Sequence, residues 1–198
     1  MGRGWASYTH LPALAALPGV RLAAACTTSL ESARATADHF GADHAFDKVE
    51  DLVAAPDINL VAVSVKAPLH FATVSAAIRA GKPVLCEWPL GRSIEESRAL
   101  LGLAREAGVP NFLVMQGRKS APLRHAAALI ADGYLGDILS VDLLSTHAHW
   151  GVEMPEAARY LLDAENGATI PNIIGGHSLD MLLNLAGPFD LLHGLIAT

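Results

Sequence analysis

The sequence predicts an α/β fold: a doubly wound parallel sheet with its first strand missing, followed by a truncated α+β unit with an antiparallel sheet. Three observations predict it. Short apolar, β-branched runs alternate with longer Ala-rich runs as far as Gln116, the rhythm of βαβ units. After Gln116 the texture changes, and a helical run leads into one long alternating segment. The 198 residues, 52% hydrophobic and 17% charged, can bury a substantial core without disulfide staples.

The elements follow in order. Residues 20–26 (VRLAAAC) form a strand, and 29–40 a helix that Ser29 caps and Gly41 stops. A short strand at Ala45-Phe46 and a short helix over 49–55 come next. Residues 58–65 (INLVAVSV) are the clearest buried strand. A helix over 70–80 closes at Gly81, and 83–87 (PVLCE) is the next strand. Ser93, with Glu96 three residues on, opens a helix over 93–107 as a capping box, and Gly108 ends it. Residues 111–116 (NFLVMQ) complete the parallel series. Beyond it, 122–131 is a helix closed by Asp132-Gly133, and 138–149 alternates as an antiparallel strand does. A loop rich in Gly, Pro and acidic residues runs to about Asn172. Residues 176–185 form a helix stopped by Gly187-Pro188, and 191–198 begin a strand. The expected domains are 1–118 and 119–198. Both ends read as cut, because a doubly wound sheet needs a central strand before GRGW and a one-strand sheet cannot cover its own face.

Composition excludes several classes. Fourteen Lys and Arg against 20 Asp and Glu give a formal charge of −6, with the cations scattered, which argues against nucleic-acid binding. No apolar run approaches the ~20 residues of a membrane span, and the start lacks a signal peptide. Two distant cysteines, Cys26 and Cys86, read as neither a disulfide framework nor a zinc knuckle, so a cytoplasmic protein is expected.

Against that element order, GKPVLCEWPLG (81–91), GYLGDILSVD (133–142) and GGHSLDMLLNLAG (175–187) become specific. Together they resemble the glucose–fructose oxidoreductase / inositol dehydrogenase (Gfo/Idh/MocA) family. RGWA (3–6), EWPL (87–90), MQGRKS (115–120) and GYLGDI resemble its branch containing the yeast galactose-pathway repressor and bacterial relatives. The resemblance covers essentially the whole chain. It implies a Rossmann domain binding NADP or NAD, then an α+β domain with an open sheet that carries a substrate site and often an oligomer interface.

On the cofactor side, the resemblance assigns Gly4 and Trp5 to the dinucleotide loop. Thr27, Thr28 and Ser29 stand where NAD-specific enzymes place an acid on the ribose, and their hydroxyls suit a 2′-phosphate; helix capping by Ser29 is compatible with that. Val65 and Lys66 follow a central strand, where ligands sit. His70 either contacts the cofactor or bridges its own loop. Glu87 and Trp88 occupy the Glu-Lys-Pro position of the family's enzymes, so the catalytic Lys is replaced by an indole without a titratable group. A cis peptide is expected before Pro89. Arg118 follows the last strand, a cation for the nicotinamide end or a solvated charge.

On the substrate side stand Lys119, His147, Trp150 and Asn172. His147 and His149 share a strand face with Trp150 nearby, which suits a sugar ring; the family implies no metal there. Ile173 replaces the family's Asp four residues before His177. His177 is the expected general base, oriented by Asp180 three residues on. The expected activity is an NAD(P)-dependent oxidoreductase acting on a sugar or polyol. The alternative is a non-catalytic NAD(P)-binding regulator with a protein partner. A homo-oligomer is expected at full length.

Overall fold

A computed structural model describes residues 4–146 and 153–195. The chain divides into two compact units, Met1–Val114 and Met115–Thr198.

The first unit runs α1 (Trp5–Tyr8), α2 (His10–Ala15), β1 (Ala24–Cys26), α3 (Leu30–Phe40), β2 (His44–Phe46), α4 (Val49–Ala54), β3 (Val61–Val63), α5 (His70–Arg79), β4 (Val84–Glu87), α6 (Ile94–Ala107) and β5 (Asn111–Val114). Local chemistry sets the ends. The Ser29 hydroxyl accepts from the Ser32 N–H at 3.2 Å, and Ser93 accepts from Glu96 N–H at 3.3 Å. Gly108 ends α6 at φ 64, where a side chain would be strained.

All described strand pairs are parallel. β1 pairs with β2, from Ala24↔His44 to Cys26↔Phe46. β4 lies between β3 and β5, with Val63↔Cys86 and Glu87↔Val114 in register. The two pieces share one core. Val61, Val63, Val74, Ile78, Val84 and Leu100 lie at its centre, and Ala24, Cys26 and Phe46 pack against it. Strands are shorter than the apolar runs that mark them, because a ladder forms only where a neighbour is in reach.

The second unit corrects the expected fold class. It contains the helices α7 (Ala121–Ala131) and α8 (Gly176–Ala186), 3₁₀ turns at Gln116–Lys119, Glu156–Leu162 and Ala164–Asn166, and a π turn at Pro171–Gly175 that runs into α8. Among the described residues it has no strand, and the described residues of the chain form no antiparallel pair. Residues 138–146 are exposed throughout, with Leu139 at 95% and Leu144 at 89%. Alternation marks a face, but a strand also needs a partner for its main-chain bonds, and among the described residues this segment has none. Residues 147–149 lie outside the described residues, and 191–195 are unpaired.

No described helix is long and apolar enough to cross a membrane.

Candidate functional site

Ligands of a parallel sheet meet the carboxyl ends of its strands. β3 and β4 run side by side, so Val65-Lys66 and Glu87-Trp88 leave the sheet at the same end. His70 ties these two exits together. It is 1% exposed, with Nδ1 2.8 Å from the Pro89 carbonyl oxygen and Nε2 2.9 Å from that of Val65. The ring thus bridges the main chain of the two turns, with Cys86 Sγ 3.5 Å from Nδ1. The Trp88–Pro89 bond is cis, as the resemblance implies. Trp88 is half-buried; Val65 and Lys66 are exposed.

The Glu87 carboxylate is bonded by Nε2 of His10, the first residue of α2. Sequence reasoning passed over His10, because its partner lies 77 residues away and no local spacing announces it. Trp5, on α1, is 55% exposed, and Gly4 is the extended N-cap residue before it.

At the end of β1, Thr27 Oγ1 donates to the Ser29 carbonyl at 3.0 Å and lies in hydrogen-bond contact with Ser32 Oγ at 2.9 Å. Ser29 caps α3, and Thr28 is exposed. Burial, helped by Asp47, Glu50 and Asp51, raises the Cys26 thiol above its ordinary value. Under the β4 turn, burial together with the neighbouring Glu87 pushes Cys86 up to about 12, so its thiol stays protonated. The donor set of hydroxyls, one amine and main chain, with no acid in 27–29, fits a dinucleotide of either kind.

In the second unit, Arg118 Nε donates to Asp180 Oδ1 at 2.7 Å, and Asp180 is buried at 7% exposure. That bond and the carboxylate's charge raise the guanidinium further. Asp180 thus holds Arg118, and it lies three residues beyond His177 on the same helix. His177 is half-buried in the first turn of α8, and Lys119 is exposed. Asn172 sits in the π turn, its Nδ2 donating to the Gly167 carbonyl at 3.0 Å. His147, His149 and Trp150 lie outside the described residues.

Residues 1–115 match the family model described as oxidoreductase family, NAD-binding Rossmann fold, and residues 122–198 match that of the Gal80p C-terminal domain. The galactose/lactose metabolism regulatory protein GAL80 of Kluyveromyces lactis is 29% identical, over 95% of this chain and 44% of its own length. Dehydrogenase aclE of Aspergillus oryzae is 35% identical, over 87% of this chain and 47% of its own. A crystal structure of the transcriptional regulator Gal80p from K. lactis superposes with a TM-score of 0.83 at 26% identity, covering 95% of this chain and 49% of that one. The chain spans about half the length of these relatives.

These findings correct the expectation of an active oxidoreductase. The solved structures that superpose at TM-scores of 0.82 to 0.83 are of a transcriptional regulator and super-repressor mutants of one. The chemistry agrees: Trp88 and Ile173 carry no titratable proton where the resemblance implies Lys and Asp.

Proposed function

The chain belongs to the Gfo/Idh/MocA oxidoreductase family, built on the NAD-binding Rossmann fold, and from that premise we propose that it is a non-catalytic NAD(P)-binding regulator. The observation that carries the proposal is Trp88, at the end of β4. An indole can stack or donate one hydrogen bond, so this position holds a ring and moves no proton.

In this proposal Gly4, Trp5, Thr27, Thr28, Ser29, Val65, Lys66, Glu87 and Trp88 form the dinucleotide side, with His70 as the brace beneath it. Bound, the dinucleotide would present a nicotinamide; the chain's own residues bind and orient it. Arg118, Lys119, His147, Trp150 and Asn172 serve recognition in the second unit, together with His177, the one residue expected to act as general base. The output is a protein partner, and the working form is a homo-oligomer. Two free cysteines, Cys26 and Cys86, support a reducing, cytoplasmic setting.

The test has two parts. Titration with NADH and NADPH, followed by nicotinamide fluorescence, should show saturable binding. Incubation with NAD⁺ or NADP⁺ and a panel of sugars and polyols should yield no reduced nicotinamide. Sustained turnover that His177→Ala abolishes would refute the proposal.

A further inference from the structure

The contact between His10 and Glu87 joins two parts of the chain that the element order keeps apart. Glu87 is the last residue of β4 and immediately precedes Trp88. His10 opens α2, directly after α1 and the Gly4 N-cap. Their side chains are 23% and 13% exposed, so the pair is largely withdrawn from water and its bond is screened less than a surface ion pair.

α1 and α2 contain no buried residue. Apolar burial, the usual force that docks a helix, is therefore weak for both. A segment held by so little packing opens at low cost unless a specific bond restrains it. His10 supplies that bond. The same bond occupies a carboxylate that would otherwise present unshared negative charge at the strand end where a dinucleotide, itself anionic, is to bind.

We propose that His10 is a positioning residue of the dinucleotide site. It holds the Glu87 carboxylate in place and straps the N-terminal helices to the end of β4. The inference rests on the NAD(P)-binding reading of this unit. Because α1 and α2 lie outside the buried core, loss of the strap acts on ligand affinity more than on global stability.

The experiment compares His10→Leu, His10→Gln and Glu87→Gln with the wild type in the full chain. NADH and NADPH dissociation constants are read by nicotinamide fluorescence, and melting temperature and amide exchange over residues 4–16 by parallel measurements. His10→Leu should weaken binding roughly tenfold, the scale of one charge-assisted bond. Its melting temperature should stay close to wild type while exchange over 4–16 rises. His10→Gln, whose amide nitrogen reaches where Nε2 lies, should restore most of the affinity. Glu87→Gln, which keeps an acceptor oxygen, should fall between the two. Unchanged affinity in His10→Leu, or a Gln variant as weak as the Leu variant, would overturn the inference while leaving the regulator reading intact. Lower melting with unchanged affinity of the folded protein would make the contact merely structural and overturn it too. A wild type that binds neither dinucleotide would remove both.

Discussion

Replacing His70 by Leu tests how the candidate site is held. Leu approximates the volume of the imidazole, so the cavity contribution is small. The loss is polar. In the native protein the ring nitrogens face the carbonyl oxygens of Pro89 and Val65 at 2.8 and 2.9 Å, in a position 1% exposed. Loss of one ring N–H donating to a carbonyl removes one good bond, at about 1 kcal/mol net. The carbonyl that accepted it is left unsatisfied in a dry place, which costs about 1–3 kcal/mol more. The sum is about 2–4 kcal/mol. At ~1–3 kcal/mol per molar of urea, the midpoint should fall by roughly 0.7–4 M. Urea titration followed by tryptophan fluorescence is suited to the measurement, since Trp88 sits in the turn that His70 braces. His70→Gln, able to keep one donor, should recover part of the loss. A His70→Leu midpoint within about 0.2 M of wild type would show that water replaces the ring at both carbonyls, against the accounting above.

Four further predictions concern other parts of the first unit. A methyl group on Gly91 would meet the Glu96 Cβ at 2.8 Å and the Ser97 backbone nitrogen at 3.3 Å, so Gly91→Ala should destabilise by about 1–3 kcal/mol in chemical denaturation. Hydrogen bonding from Arg92 holds the Glu96 carboxyl below the ordinary glutamate range. A depressed folded value means that this contribution is complete above the unfolded value of about 4.3 and is lost as pH falls through the folded one, a loss that Glu96→Gln should remove from the acid melting curve. Cys86, pushed up to about 12, should resist iodoacetamide at neutral pH and react only in denaturant, as mass spectrometry of the alkylated chain can read. With no acid among Thr27, Thr28 and Ser29, calorimetry should find NADP bound at least as well as NAD; a clear preference for NAD would point to Asp47, which follows Phe46 where β2 ends beside β1.

Much of the first unit is legible in the residues because its signals are local. Ser29 and Ser93 find their N–H partners three residues on, Gly41 and Gly108 close their helices by adopting positive φ, and the apolar runs before Lys66 and Trp88 become strands of one parallel sheet. The departures at Trp88 and Ile173 are equally plain in one dimension, since the absence of a titratable proton is a property of the side chain alone. Strand pairing is a different kind of fact. The alternation over 138–149 suits a sheet, yet the described part of it pairs with nothing, because a ladder depends on a second segment that spacing cannot supply. The same holds for the site's polar contacts. His10 reaches Glu87 across 77 residues, His70 reaches Pro89 across 19, and Arg118 reaches Asp180 across 62. Helix caps and apolar periodicity act within a turn or two of chain, so the order of residues was enough to determine them. Which carboxylate meets which cation depends on where the folded main chain brings distant segments together, and only the tertiary structure decided it.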